Sequence, residues 1–155
     1  MAVEIVKVST NKQLKRFIRF NYELYKGNPY FVAMDTLRKD RNAAFEFCEA
    51  DYFLAYRDGK IVGRIAAIVN NRANEKWGLK AARFGWVDFI DDEEVVDALF
   101  STAEAWARER GMNEIKGPLG FTDLDPEGML IEGFDRLSTM ATIYNYPYYP
   151  EHLEK

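Results

Sequence analysis

The chain has 155 residues, of which 48% are apolar, 30% charged and 15% aromatic, as is typical of one globular domain. Its 25 acidic residues outnumber the 21 Lys and Arg residues, which argues against binding to nucleic acid or to an anionic membrane. The single cysteine, Cys48, excludes an internal disulfide and a multi-cysteine zinc site, and the single histidine, His152, excludes most histidine-based metal sites. Because the sequence lacks a signal-peptide core and an apolar run of about 20 residues, we expect a cytoplasmic protein.

A short strand and an amphipathic helix open the chain. Apolar and polar residues alternate up to Val8, with the two-residue period of a strand. Ser9 to Asn11 offer side chains that cap helices, and apolar residues then recur every three or four positions from Leu14 to Tyr25. This spacing predicts a helix that lies on a sheet. Met34 to Arg41 favours a further, weak helix.

A β-hairpin is the clearest local pattern. The strands Asp51–Arg57 and Lys60–Asn70 are joined by Asp58-Gly59, a dipeptide that favours a tight turn matching the twist of paired strands. The second strand reads IVGRIAAIV and is apolar on both faces apart from Arg64, which predicts a central strand covered on both sides. The polar stretch from Asn70 to Gly78 indicates a loop.

A strand and a long helix follow. Ala82–Ile90 predicts another strand, whose alternation places Phe84 and Trp86 on one face and Val87 on the other. Asp91–Arg110 carries the widest apolar stripe in the chain, which predicts a helix. Its first four residues are all acidic, a composition that suits a helix N-terminus.

The order of these elements predicts the fold class. Glu114–Lys116 begins a fifth strand, and the aromatic stretch from Ala141 enters a final helix. A strand–helix–strand unit makes a right-handed parallel crossover, whereas hairpin-linked strands pair antiparallel. We therefore expect an α+β fold with a mixed, mostly antiparallel central sheet and helices on both faces. We expect residues 1–155 to form one domain.

Three strings carry a likeness to known proteins. FLAYRDGKIVGRIAAI spans the hairpin, ARFGWVDFI runs into the acidic helix start, and ERGMNEIKGPL surrounds the fifth strand. With the opening strand and helix, they resemble the Gcn5-related N-acetyltransferase superfamily. More narrowly, the first and third strings, together with YYPEHLEK near the end of the chain, resemble the N-terminal part of a group of longer bacterial proteins. The resemblance implies an acyl-CoA N-acyltransferase-like fold that is truncated at the C-terminal helix and lacks the C-terminal hairpin.

The resemblance also implies where an acyl donor binds. In the superfamily, backbone amides at the end of the fourth strand hold the pantetheine, and a glycine-rich loop at the next helix start holds the pyrophosphate. The first role falls here to Val87, Phe89 and Ile90, together with Asn145. The loop reads Asp91-Asp92-Glu93-Glu94, and its four carboxylates outweigh the roughly +0.5 charge of a helix N-terminus. We therefore expect an acid-capped helix without the usual coenzyme A motif.

Catalytic candidates follow from the same resemblance. Acylation of an amine needs a base for the amine proton and an acid for the leaving thiolate. Asp88, on the fourth strand, is the candidate base, and Tyr144 and Tyr149 are the candidate acids. Each also has a structural interpretation, as a paired strand residue for Asp88 and as packing for the two tyrosines.

Two functions remain open from the sequence. The first is an N-acyltransferase that uses acetyl-CoA or another acyl-CoA despite a degenerate pyrophosphate loop. The second is a non-catalytic module that needs no cofactor and acts through protein contacts. The edge of the Ile115 strand and the aromatic Tyr144–Tyr149 segment predict a homo-oligomer. Folding of these tyrosines over the chain's own cleft is the alternative interpretation.

Overall fold

The computed structural model describes residues 2–30, 37, 42–139 and 142–155. The predicted weak helix at Met34–Arg41 lies outside these ranges, apart from Leu37. The elements in chain order are β1 (Glu4–Lys7), α1 (Asn11–Leu24), a 3₁₀ turn (Ala43–Glu46), β2 (Cys48–Arg57), β3 (Lys60–Asn70), α2 (Asn71–Trp77), β4 (Ala81–Phe89), α3 (Glu93–Glu109), β5 (Glu114–Lys116) and α4 (Tyr148–Leu153). None of the helices in the described ranges is long and apolar enough to cross a membrane.

The strands of the described residues form one five-stranded sheet in the order β1-β2-β3-β4-β5. The first four strands pair antiparallel, and β5 pairs parallel to β4. One cluster of buried side chains lies between the sheet and α3, and a second lies between the sheet and α1. The predicted mixed, mostly antiparallel sheet with helices on both faces is confirmed.

Local sequence signals explain the first helix and the hairpin. The Thr10 side chain accepts a hydrogen bond from the Gln13 amide at 3.2 Å, and the Gln13 side chain accepts one from the Thr10 amide at 3.0 Å. This reciprocal capping box fixes the start of α1. In the hairpin, Asp58 and Gly59 both have positive φ, at 52° and 73°. The Asp58-Gly59 turn thus joins β2 to β3 as predicted.

One predicted loop is a helix. Residues Asn71–Trp77 form α2, although their composition indicated a loop. The Asn70 side chain accepts a hydrogen bond from the Ala73 amide at 2.8 Å, and Gly78 ends the helix in the left-handed conformation. These two caps stabilise a helix too short and polar to show periodicity.

A bulge in β4 overturns the predicted faces of that strand. Ala66 of β3 pairs with Gly85, whereas Arg64 pairs with Asp88, so β4 carries one extra residue between the two pairs. Trp86 lies in the bulge with φ 42°. Because of the extra residue, Phe84 packs in the cluster under α3 and Trp86 packs in the cluster under α1. The prediction that Phe84 and Trp86 share a face is therefore wrong.

The strand β5 lies at the edge of the sheet. Ile115, at its centre, is half-buried, and no strand pairs with the outer side of β5 in the described part of the chain. Such an edge offers backbone groups to a further strand. Association of copies through this edge stays a prediction.

Candidate active site

A cleft opens where β4 and β5 separate. The two strands pair over three residues, after which the chain crosses β4 and the Leu119 amide donates to the Phe84 carbonyl at 2.8 Å. Gly85 permits this approach, because a Cβ atom there would lie 2.2 Å from the Leu119 carbonyl oxygen. Beyond this crossing, the walls of the cleft include Asn21, Arg64, Trp86, Val87, Asp88, Pro118, Tyr144, Asn145 and Tyr149. The cleft thus brings together most of the predicted site residues.

Asp88 lies at the centre of a hydrogen-bonded group in this cleft and is only 5% exposed. Its Oδ2 accepts hydrogen bonds from Arg64 Nε at 2.8 Å and from Asn21 Nδ2 at 3.0 Å, and its Oδ1 accepts one from the Tyr149 hydroxyl at 2.8 Å. A carboxylate this deeply buried requires such partners, since an unpaired buried charge is strongly unfavourable. The group therefore joins α1, β3, β4 and α4 at one point.

Arg64 and Asn21 were missing from the residues predicted for the site. Arg64 is 3% exposed, donates from Nη1 to the Phe17 carbonyl at 3.0 Å, and lies 5.1 Å from the centre of the Phe17 ring. Its position as the one charged residue in the apolar strand IVGRIAAIV was the available signal. Asn21 gave no such signal, because a polar residue on an amphipathic helix is ordinary.

Tyr149 connects Asp88 to the end of β4. Its ring stacks on Phe89 with centroids 4.3 Å apart, and its oxygen accepts a hydrogen bond from the Phe89 amide at 3.3 Å. Burial raises the pKa of Tyr149 well above its usual range, and the nearby charge of Asp88 raises it further. Direct loss of its proton to a thiolate, whose ordinary pKa is about 8.5, is therefore unfavourable. The hydroxyl stays protonated and is directed at Asp88.

Tyr144 and Asn145, the other two predicted site residues near the end of the chain, form hydrogen bonds with the loop beside the cleft. The Tyr144 hydroxyl donates to the Phe134 carbonyl at 3.0 Å. The fully buried Asn145 accepts from the Leu130 amide at 2.7 Å and donates to the Leu130 carbonyl at 3.1 Å. These contacts hold the loop beside the cleft and engage the Tyr144 hydroxyl with the Phe134 carbonyl. A proton-donating role for Tyr144 and a donor-binding role for Asn145 stay predictions.

Backbone groups at the end of β4 are already hydrogen-bonded within the chain. The Phe89 carbonyl accepts from the Tyr148 hydroxyl at 2.7 Å, while the Phe89 amide donates to Tyr149. The Ile90 amide donates to the Val62 carbonyl at 3.0 Å. Val87, by contrast, has no register partner on β3 and lines the cleft. Of the predicted donor-binding positions on β4, Val87 is the one that lines the cleft, and its role in donor binding stays a prediction.

Arg57 neutralises part of the acidic start of α3. Its guanidinium forms ion pairs with Asp92 at 2.5 Å and with Glu94 at 2.7 Å. Asp92 is also the N-cap, because its side chain accepts a hydrogen bond from the Val95 amide at 3.2 Å. The hydrogen bond from Arg57 lowers the pKa of Asp92 below its usual range. The predicted acid-capped helix start is thus present, with Asp92 as its cap.

The end of α4 covers the same helix start. His152 Nε2 lies 2.8 Å from Asp91 Oδ1, and Lys155 Nζ lies 3.1 Å from Glu93 Oε1. Arg57 and Lys155 still leave the four carboxylates with a net negative charge. The first turn of α3 therefore does not fit a pyrophosphate, which needs free amides and a positive field. Among the residues that the structure describes, no cluster of His, Cys, Asp and Glu side chains is placed to hold a metal ion.

The ion pair of Asp92 predicts a pH-dependent contribution to stability. Asp92→Asn retains a good N-cap but loses the charge, so we expect the free energy of unfolding at neutral pH to fall by about 0.5–1 kcal/mol. Because the folded-state pKa of Asp92 is lowered, this stabilisation is present above its ordinary value of about 3.9 and disappears as the pH falls through the lower folded value. Urea denaturation of both proteins between neutral pH and about pH 2.5 checks this. A difference that persists unchanged at the acidic end would contradict it.

The chain is similar in sequence to known proteins. No protein-family model matches the chain. It is 32% identical over 157 residues to Protein YghO of Escherichia coli (strain K12). This match covers 97% of this chain and 40% of that protein. It is also 32% identical over 140 residues to Bacterial ceramide synthase of Caulobacter vibrioides (strain NA1000 / CB15N), covering 86% of this chain and 36% of that protein. The chain thus spans about two fifths of the length of these relatives.

A solved structure shows the same fold. An aminoglycoside acetyltransferase from an uncultured soil metagenomic sample, in complex with sisomicin, superposes with a TM-score of 0.52 at 17% identity. The match covers 74% of this chain and 75% of that one. The chain therefore shares the α+β fold of that acetyltransferase, and the predicted fold class is confirmed.

Proposed function

We propose that this chain is an acyltransferase that moves an acyl group from a thioester to the amino group of a long-chain base. The observation that carries the proposal is the buried Asp88, hydrogen-bonded to Tyr149 at 2.8 Å where β4 and β5 separate in an acetyltransferase fold. The relative named bacterial ceramide synthase supports the acceptor class, because a ceramide is the amide of a fatty acid and a long-chain amino alcohol.

The contacts of Asp88 and Tyr149 indicate how the amine loses its proton. The amine nitrogen bonds to the acyl carbon, and the carbon–sulfur bond breaks with its electron pair on sulfur. The Tyr149 oxygen accepts the proton from nitrogen while the Tyr149 hydroxyl proton passes to Asp88, so no tyrosinate forms. Asp88 later releases the proton to solvent, from which the thiolate takes one. This relay is compatible with the raised pKa of Tyr149.

An acyl-CoA is the donor that the resemblance implies. Because the first turn of α3 does not fit a pyrophosphate, we propose that a donor is held through its pantetheine and acyl parts. Val87 lies in the bulge, has no Cα register partner on β3 and lines the cleft, so we assign this contact to its backbone groups. A pantetheine amide needs such groups, as backbone bonding is otherwise complete in a paired strand.

This mode of binding predicts that the pyrophosphate adds no affinity. In calorimetric titrations, acetyl-CoA and S-acetylpantetheine should bind within about threefold of each other, since the acids oppose the pyrophosphate. The combined variant Asp91→Asn, Asp92→Asn, Glu93→Gln and Glu94→Gln should strengthen acetyl-CoA binding by at least about tenfold and leave S-acetylpantetheine unchanged. Acetyl-CoA binding that is already more than about tenfold tighter in the unmodified chain would contradict the prediction.

An assay of the purified chain tests the proposed activity. Sphinganine and palmitoyl-CoA are incubated with the chain, and the amide product is measured by mass spectrometry. We expect amide to form in proportion to protein concentration, with none when N,N-dimethylsphinganine replaces the acceptor, because its tertiary amine yields no neutral amide. Absence of amide across the neutral and mildly alkaline range, where the free amine becomes available, would refute the proposal.

One observation favours the non-catalytic alternative. The Tyr148 and Tyr149 hydroxyls are hydrogen-bonded to the carbonyl and the amide of Phe89, and α4 covers the acidic start of α3. Part of the expected donor site is therefore closed. In that case the module acts through protein contacts, including association of copies through the Ile115 edge. A chain without turnover and without donor binding, but oligomeric by light scattering, would support this alternative.

A further inference from the structure

We infer that Arg64 and Asn21 are positioning residues that hold Asp88 by its Oδ2, so that its Oδ1 faces Tyr149 and the cleft. The inference rests on the proposed function and assigns to two further side chains the task of orienting the base. Neither contacts the reacting atoms in this scheme, because each acts through Asp88.

The geometry separates the two oxygens of Asp88. Arg64 Nε and Asn21 Nδ2 both donate to Oδ2, from β3 and from α1, whereas Oδ1 accepts from Tyr149 on α4. Two donors from different elements restrict rotation of the carboxylate about its Cβ–Cγ bond. The relay from Tyr149 requires this orientation, because a proton acceptor must lie within hydrogen-bond reach of its donor.

Arg64 is itself held in place. Its Nη1 donates to the Phe17 carbonyl at 3.0 Å, and the side chain is 3% exposed. The guanidinium thus links α1 to β3 while its Nε contacts the acid. A change in this anchor would shift Asp88 relative to the cleft, and a displacement of about 1 Å at a catalytic group can reduce a rate about a hundredfold.

Stability alone gives a weak reason for this ion pair. Replacing a buried pair by apolar residues of similar volume is often neutral or stabilising, because the pair must be desolvated. The surrounding strand is apolar, and Ile65, Ala66 and Ala67, which follow Arg64, are fully buried. A charged pair at this point of the sheet, on the wall of the cleft, therefore indicates a role in the site.

The test compares two folded variants, each of which alters a different hydrogen bond to Asp88. Arg64→Lys keeps the positive charge but loses the planar guanidinium fork, and Asn21→Ala removes the second donor without leaving a buried charge unpaired. Each should lower kcat by at least about tenfold and change KM by less than about threefold. The matched controls Arg108→Lys and Asn113→Ala, at exposed positions, should leave both constants unchanged. Circular dichroism verifies folding.

A double-mutant cycle separates positioning from an independent role. In the Asp88→Asn background, Arg64→Lys or Asn21→Ala should lower kcat by less than about twofold further, because nothing remains to be positioned. Losses that multiply, or unchanged kcat in the folded single variants, would overturn the inference. Those outcomes leave the proposed function intact, since it requires only that the unmodified chain forms amide. If Arg64→Lys does not fold, Asn21→Ala carries the test.

Discussion

Asp88→Asn is expected to lower kcat for amide formation by at least about 100-fold, because asparagine cannot accept the proton that passes through Tyr149. The substitution conserves size but leaves the buried Arg64 without a charged partner, and removal of one member of a buried pair costs about 3–5 kcal/mol of stability. Activity is therefore measured well below the unfolding midpoint, with the folded fraction determined by circular dichroism at the assay temperature.

Two further variants make this result interpretable. Asp123→Asn is the matched control, since Asp123 is exposed in the loop after β5, and it should keep the activity of the unmodified chain. Tyr149→Phe conserves the ring stacked on Phe89 but removes the hydroxyl, so kcat should fall with little loss of packing. Folded Asp88→Asn protein with full activity would eliminate Asp88 as the base.

Gly85→Ala is expected to lower the free energy of unfolding by about 3 kcal/mol, at the upper end of the cost of overpacking. The added Cβ would lie 2.2 Å from the Leu119 carbonyl oxygen, a backbone atom that cannot rotate away. Leu119 is itself held by the hydrogen bond from its amide to the Phe84 carbonyl. Relief therefore requires the crossing segment to move off β4, which would also open the cleft. Urea denaturation measures the loss.

Gly27→Ala provides a control with the opposite character. Gly27 has φ 84°, but a Cβ atom there would meet nothing within 4 Å. An alanine at this position lowers the free energy of unfolding only by the cost of the left-handed conformation, about 1 kcal/mol. We expect Gly85→Ala to lower the free energy of unfolding more than Gly27→Ala does, although of these two glycines it is Gly27 that has a positive φ. The reverse order would show that the crossing segment adapts to a side chain.

Local patterns were enough to predict several elements. The hairpin followed from Asp58-Gly59, whose conformational preference acts within two residues. The helix α3 followed from its apolar stripe, although it begins at Glu93 and not at Asp91. Its start differs because the cap is set by which carboxylate reaches the Val95 amide, and four adjacent acids offer similar spacing.

Features that depend on one added residue or on a distant partner were not predictable. The bulge at Trp86 reverses the face of the preceding strand residues, and strict alternation gives no sign of it. The pairing of Arg64 with Asp88 spans 24 positions and that of Asn21 with Asp88 spans 67. Such contacts arise only when the sheet brings β3, β4 and α1 together.

The acidic start of α3 shows what the sequence and the tertiary structure each contribute. The sequence by itself determined the fold class and the presence of four carboxylates where the resemblance implies a pyrophosphate loop, since periodicity and charge are local properties. Only the tertiary structure decided that Arg57, His152 and Lys155 pair with these acids, and that Asp88 meets Tyr149 in the cleft. Charge is a property of the residue, whereas its partner is chosen by the packing of elements far apart in the chain.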